Sequence, residues 1–353
     1  MKAVSLFAGA GGLDQGLRNA GFDVVLANEL VPEFCKSHAA NFPDTKIHQG
    51  SVTELTKSRL AELLGDHERI DLLAGGPPCP PYSKSRFYRT EMPRGLDDPV
   101  GEETLRGYLN CLKVIRPRAF LLENVAGMSF GVHRAALDYA IEAACDLGYT
   151  TDWRVLNAAD FGVPQIRQRL FLVGVRDGQF SWPEPTHSKK PDDSSAVVMK
   201  PWVTAGEAIG DLDTEANYDD VGHFAGGKHH DLLKEIPPGQ NYLYFTKERG
   251  HPDPQFKWRS RYWSFLLKLS PDVPSWTIQA RRSNNMGPLH WRNRILRIEE
   301  VMRLQTFPDD WRLTGKTESQ WRQVGNAVPP LLAQHLGEAI KRTLSLPMQK
   351  GRP

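Results

Sequence analysis

Over the first 175 residues, short apolar runs alternate with stretches whose apolar positions recur at helical spacing. Residues 3–7 read as a strand that runs into a glycine turn at 8–12, and residues 13–20 continue as a helix. A second β run, 23–27, ends at Asn28 and Glu29. Apolar runs recur at 70–74 and 119–122, accompanied by helical stretches such as 105–115 and 134–147. Strands alternating with helices predict an α/β fold around a mostly parallel sheet. Residues 153–157 and 170–175 read as two further strands joined by a polar connection, 160–169. From about residue 179 the pattern breaks, with Pro183, Pro185, Pro191, Pro201, Pro237, Pro238, Pro252 and Pro254 interrupting every long period up to about residue 290. That texture predicts a second, irregular domain, and residues 331–344 then read as one amphipathic helix.

Composition adds limits to this outline. The 353 residues, 40% hydrophobic and 24% charged, can bury a full core and form roughly two domains. Lys and Arg number 44 against 42 Asp and Glu, a net charge of +2, so nucleic-acid contact has to come from local basic clusters. Residues 247–268 interleave Lys257, Arg259 and Arg261 with Phe256, Trp258, Tyr262 and Trp263. This pattern suits phosphate contact and base stacking, and equally a small core with a solvated rim. Six of the nine tryptophans fall between residues 182 and 291, which concentrates stacking surfaces in the irregular region. Four cysteines, Cys35, Cys79, Cys111 and Cys145, lie 44, 32 and 34 residues apart, fitting neither a zinc site nor a disulfide framework. The expectation is no metal and a reducing compartment. The N-terminal apolar run is too short for a signal peptide and no run approaches a membrane span, so a soluble cytoplasmic protein is expected.

Four groups of residues suggest chemistry. The glycine turn, placed between a strand and a helix, offers backbone amides at a helix N-terminus, where a nucleotide-like cofactor can sit. Glu29 follows Gly9 by 20 residues, at the end of the second strand, where a carboxylate can bind ribose hydroxyls. A tight strand-to-helix turn without a ligand is the alternative. Cys79 stands in Gly75-Gly-Pro-Pro-Cys-Pro-Pro-Tyr-Ser83, a loop stiffened by four prolines directly after an apolar strand. It reads as a nucleophile, with Cys35, Cys111 and Cys145 as core residues. Glu123 ends an otherwise apolar strand, where desolvation would raise its pKa and suit it to sharing a proton; a helix cap or surface charge is the alternative. Gln165, Arg167 and Arg169 fall on one face of an extended segment and so present two permanent cations to a ligand, or else form a salt-bridged edge.

In order along the chain, Phe7-Ala-Gly-Ala-Gly-Gly12, Pro78-Cys79, Glu123-Asn124-Val125, Gln165-x-Arg-x-Arg169, Arg303-Leu-Gln-Thr-Phe-Pro308 and Gly325-Asn-Ala-Val-Pro329 resemble the motifs of the cytosine-5 DNA methyltransferases, from residue 3 to about 342. The resemblance implies a Rossmann-like methyltransferase domain at residues 1–180 with 321–348, and a smaller irregular target-recognition domain at 181–320. It implies S-adenosylmethionine as cofactor, with Phe7, Ala8, Gly9, Gly11 and Gly12 around it, Glu29 on its ribose, Leu30, Ser51, Val52 and Pro78 lining the pocket, and Asn326 and Ala327 closing it. It further implies that Cys79 adds to carbon 6 of a cytosine drawn out of the duplex, while Glu123 protonates the ring, Arg169 holds the base carbonyl and Arg167 supports the cysteine loop. Ser83, Lys84, Arg86 and Arg89 would close over the DNA, with Arg259, Arg261 and Arg281 reaching it from the recognition domain.

The implied partner is double-stranded DNA, met by a monomer that works beside a cognate restriction or phage-defence system. Two positions depart from the family pattern: Pro80-Pro81 follow the cysteine where Gln is usual, and Ser51 stands where Asp is usual. The competing readings are a tRNA cytosine-5 methyltransferase, a catalytically silent DNA-binding regulator and a nicotinamide oxidoreductase. The long variable stretch before Arg281 favours DNA over tRNA. The set Cys79, Glu123 and Arg169 opposes a silent regulator, and the Pro-Pro-Cys loop is unexplained by an oxidoreductase.

Overall fold

The computed structural model describes residues 1–65, 69–78, 99–191, 198–214, 221–258 and 262–346. Eight strands and five helices make up its first half: β1 (Lys2–Leu6), α1 (Gly12–Asn19), β2 (Asp23–Glu29), α2 (Pro32–Asn41), β3 (Lys46–Gln49), α3 (Lys57–Leu64), β4 (Leu72–Gly75), α4 (Pro99–Ile115), β5 (Ala119–Val125), α5 (Arg134–Asp146), β6 (Thr150–Asn157), β7 (Gln165–Ile166) and β8 (Gln168–Val175). Seven strands join one sheet in the order β3-β2-β1-β4-β5-β8-β6. The first five are parallel, and β8 runs antiparallel to both β5 and β6.

The central strands are apolar on both faces because helices cover both faces. Val4, Leu6, Leu73, Phe120 and Leu122 face one layer, packed against Leu60, Leu105, Leu112 and Leu137. Ala3, Leu72, Ala74, Ala119 and Leu121 face the other, with Leu13, Leu17, Leu332, Leu336 and Ile340. The period of two along each strand thus sorts its side chains between two cores. The second layer is closed by the helix expected at 331–344, here α10 (Pro330–Ser345), which crosses α1 where neither helix has room for a side chain. A Cβ on Gly16 would come within 2.4 Å of Ala333, and one on Gly337 within 2.7 Å of Ala20.

Beyond β8 regular structure is sparse: β9 (His187–Ser188) pairs with β10 (Lys200–Pro201), followed by α6 (Ala205–Ile209), α7 (His230–Glu235), β11 (Ser275–Trp276), α8 (Ile298–Leu304) and α9 (Thr317–Asn326). A third core, including Leu233, Tyr242, Phe245, Leu266, Ile278, Leu296 and Trp311, holds this region together. Around it Tyr242, Phe256 and Phe265 meet edge to face, with centroids 5.7–5.8 Å apart. The basic and aromatic stretch therefore divides: Phe256 and Phe265 pack inward, whereas Trp258, Tyr262 and Trp263 are exposed. Lys268, at its end, is buried, which pushes its amine down to about 8. Arg259 and Arg261 lie outside the described residues.

Three expectations need correction. Cys35 and Cys111 are core residues but Cys145 is exposed, because it sits on the outer side of α5. The connection 160–169 is not merely polar: it contains β7, which pairs with β11 of the irregular region. The expected boundary at 320/321 falls inside α9, whose Trp321 and Val324 pack into the third core.

Candidate active site

β1 delivers the chain into a turn whose conformation only glycine tolerates well. Gly9 (φ +58°) and Gly11 (φ +90°) are left-handed, and so is Phe7 (φ +55°), a costly state for an aromatic residue. Ala8 N–H donates to the Asn28 carbonyl (3.0 Å), and Gly9 N–H to Glu29 Oε2 (2.9 Å). The other oxygen of Glu29 accepts from the N–H groups of Leu30 and Val31, at 2.9 Å each. One carboxylate thus ties the turn to the start of α2, and with three amides bound it keeps about one lone-pair direction free. Leu30 is 65% exposed beside it.

The remaining residues expected around this turn are spread around its rim. Ser51 caps a short helical turn, its hydroxyl accepting from Thr53 N–H and donating to Glu103, both at 3.2 Å. Val52 is buried in the first core, where it leaves Gly107 no room for a side chain. On the opposite side the returning C-terminal segment meets the turn: a Cβ on Gly12 would lie 2.7 Å from the Val328 carbonyl and 2.9 Å from Ala327 Cβ. Asn326 is exposed and Ala327 half-buried.

At the ends of β4 and β5 a second constellation forms. Glu123 is 4% exposed, and burial raises its carboxyl above the usual range, opposed by the charges of Arg169 and Arg167. Arg169 Nε stands 3.0 Å from Glu123 Oε1. A side chain on Gly76 would come within 2.7 Å of Glu123 Oε2, so the glycine directly after β4 is what admits the carboxylate. Asn124 Nδ2 donates to the Pro77 carbonyl (3.2 Å), fastening the same loop, while its oxygen accepts from Val125 N–H. Pro78 is the last described residue of that loop; Cys79, Ser83, Lys84, Arg86 and Arg89 lie outside the described residues.

The expected row of Gln165, Arg167 and Arg169 does not face a ligand together. β7 ends before Arg167 and β8 begins after it, because Asn157 Oδ1 takes the Arg167 N–H (3.2 Å) and the Arg167 carbonyl takes Ala158 N–H (2.9 Å). Gln165 and Arg167 are fully buried. Arg167 donates to the carbonyls of Ile278 (3.1 Å), Gly325 (2.9 Å) and Ala327 (3.1 Å). Gln165 accepts from Ile278 N–H (3.0 Å) and donates to the Leu304 carbonyl (3.1 Å) and Gln305 Oε1 (3.0 Å); Gln305 in turn donates to the Val324 carbonyl (2.7 Å). These side chains clamp the irregular region and the C-terminal segment onto β7. Of these three side chains, Arg169 is the one that pairs with Glu123. Gln305 stands within the Arg303–Pro308 motif, but its role is not legible in the sequence, since one partner is the Gln165 side chain 140 residues away and the other a backbone carbonyl.

Arg281 is exposed, one residue beyond Ala280, which packs against Gly325. Trp276 on β11 is exposed and touches Trp263, with centroids 5.8 Å apart. Among the described residues no group of His, Cys, Asp and Glu could hold a metal ion, and no helix is long and apolar enough to cross a membrane.

Comparison with known proteins gives concordant results. The sequence pattern of the family described as C-5 cytosine-specific DNA methylase matches residues 1–342. The type II methyltransferase M.SacI of Streptomyces achromogenes is 36% identical over 385 aligned positions, covering 99% of this chain and 97% of the relative. M1.HphI of Haemophilus parahaemolyticus is 33% identical, covering 96% and 86%. Among solved structures, a DNA modification methyltransferase encoded within an E. coli prophage superposes with a TM-score of 0.71 at 22% identity, covering 98% of this chain and all of that one. Dnmt2 of S. pombe superposes at 0.62 with 16% identity, covering 98% and 99%; at such identities these likenesses speak for the fold alone.

Proposed function

The chain belongs to the C-5 cytosine-specific DNA methylases, and from that premise we propose that it transfers the methyl group of S-adenosylmethionine to carbon 5 of a cytosine drawn out of duplex DNA, through a covalent adduct on Cys79. The observation that carries this reading is the contact of Gly76 with Glu123 and the bond from Asn124 to Pro77, which bring the loop leading to Cys79 against the Glu123–Arg169 pair.

When bound, S-adenosylmethionine supplies an electrophilic methyl on a sulfonium. Room for it is consistent with the glycine turn, where a Cβ on Gly9 would meet nothing within 4 Å. Phe7, Ala8, Gly9, Gly11 and Gly12 would hold it, the free lone pair of Glu29 would take a ribose hydroxyl, and exposed Leu30 would lie along the adenine. Ser51, Val52, Pro78, Asn326 and Ala327 would complete the rim.

The chemistry of the base falls to the other constellation. The Cys79 thiolate adds to carbon 6 while Glu123, whose acid form burial favours, gives its proton to ring nitrogen 3, and the enamine so formed is nucleophilic at carbon 5. Arg169 would hold the base carbonyl beside Glu123. After carbon 5 takes the methyl, loss of its proton restores the double bond and expels the cysteine. The other cysteines support this choice by contrast: burial pushes Cys35 up to about 11 and Cys111 up to about 12, far from thiolate at neutral pH, and Cys145 stands outside the six motifs, exposed on α5.

The irregular region beyond residue 180 would serve for target recognition, with exposed Trp258, Tyr262, Trp263, Trp276 and Arg281 meeting the duplex, and Arg259 and Arg261, outside the described residues, would add phosphate or base contacts. Double-stranded DNA would be the partner, and the enzyme a cytoplasmic monomer paired with a restriction or defence system, as the type II relatives suggest. Incubation with tritiated S-adenosylmethionine and separate pools of unmethylated DNA and tRNA tests the reading. Label in 5-methylcytosine of DNA alone is expected; label in tRNA alone would assign the enzyme to RNA.

A further inference from the structure

Beneath the glycine turn lies a buried polar cluster that the reaction described above does not use. Asp14, in the first turn of α1, accepts a hydrogen bond from Ser5 Oγ on β1 (2.5 Å) and pairs with His38 Nε2 on α2 (2.6 Å). All three side chains are essentially shut off from water. The His38 ring stacks on Phe42, with centroids 4.5 Å apart and planes 25° from parallel. Gly11 rests on this stack: a Cβ there would come within 2.5 Å of Phe42 and 3.2 Å of His38. His38 Nδ1, buried, has no hydrogen-bond partner among the described residues.

A buried carboxylate needs partners, and the two it has come from the strand before the turn and from the helix that forms its floor. Asp14 itself belongs to the helix after the turn. Ser5, Asp14 and His38 therefore fix, through two short bonds, the three elements whose relative placement decides where the amides of residues 9–12 point. Packing alone does not call for this. A phenylalanine at position 38 would keep the stack without leaving a ring nitrogen unsatisfied, a state proteins retain rarely and at a cost.

We infer that Asp14 and His38 are positioning residues for cofactor binding: they set the glycine turn in its binding conformation without touching the cofactor, and so govern affinity for S-adenosylmethionine rather than the chemical step. The inference rests on the proposed placement of the cofactor at that turn.

The test uses the full chain with His38→Phe, which keeps the ring and removes both nitrogens, Asp14→Asn, and the milder Ser5→Ala. Their KM and calorimetric Kd for S-adenosylmethionine, their kcat and their affinity for duplex DNA from a methylation-free host are compared with Glu29→Ala. His38→Phe and Asp14→Asn are expected to raise KM and Kd about tenfold or more, as loss of a hydrogen bond to a charged group does, and Ser5→Ala about threefold. The kcat at saturating cofactor and the DNA affinity should stay within about twofold of the parent, a split that general loosening of the fold would not give. An unchanged KM in Ser5→Ala and in whichever of the other two folds, with Glu29→Ala impaired, overturns the inference and leaves the cofactor site standing. Unchanged cofactor binding in Glu29→Ala as well overturns the site and the inference with it.

Discussion

Glu29 and Glu123 stand near the carboxyl ends of two strands of one sheet, yet they are held by different means. Glu29 is enclosed by three backbone N–H groups, a setting that satisfies the charged form and fixes the turn around it. Glu123 is stripped of water and faces one guanidinium, so burial moves it toward the protonated form. On the proposed function the same side chain would serve a binding surface beside β2 and a proton donor beside β5. The environment, more than the residue type, assigns the role.

The largest effect that would break this contrast concerns Glu123. Glutamine fits beside Gly76 but has no proton to give, so Glu123→Gln should lower kcat about 10²–10⁴-fold while leaving cofactor affinity intact. Because the folded pKa is raised, the acid form is favoured by folding: the associated stability is fully present below the unfolded value of 4.5 and is lost as pH rises through the folded value. Activity that needs the acid form falls over the same alkaline limb, and the limb should vanish in the variant. Tritium transfer followed as the pH is raised from 4.5 checks both; a loss under tenfold, or an unchanged limb, would remove Glu123 from proton transfer.

The two arginines sharpen the contrast at the next level. Arg167→Met strips three carbonyls of their partner and should cost on the order of 3 kcal/mol in urea unfolding. Arg169→Met should destabilise less, since Glu123 can take up a proton when the guanidinium leaves, but should cut kcat about 10²-fold. Equal stability losses in the two variants would contradict the separate jobs assigned to them.

A smaller effect belongs to the glycine-turn end. Glu29→Ala should weaken S-adenosylmethionine binding by about 1–3 kcal/mol and restore near-parental kcat when cofactor is raised. Calorimetry showing unchanged affinity would dismiss its role.

The sheet and the site were not equally legible in the sequence. Apolar runs and the glycine turn announced β1, β2, β4 and β5, because strands covered on both faces leave little choice of residue. Desolvation of Glu123 followed from its place at the end of such a run. What stayed hidden was the difference between Arg167 and Arg169. Alternation put both on one face, but Asn157 and Ala158 break the strand at Arg167, and its partners are carbonyls at 278, 325 and 327. Backbone atoms more than 100 residues away carry no side-chain signature. The cluster of Ser5, Asp14 and His38 was hidden for a related reason: each residue is unremarkable until α2 folds onto α1.

The claim that the chemistry passes through Cys79 is tested most directly by a duplex carrying 5-fluorocytosine at the methylated position. Fluorine cannot leave carbon 5 as a proton, so after methyl transfer the cysteine cannot be expelled. An adduct that requires S-adenosylmethionine, survives denaturing electrophoresis and maps by peptide mass spectrometry to Cys79 is the expected result. It should form slowly in Glu123→Gln at any cofactor concentration, and at the parental rate in Glu29→Ala once cofactor is abundant. An active enzyme that forms no adduct, or forms it at Cys35, Cys111 or Cys145, would contradict the account.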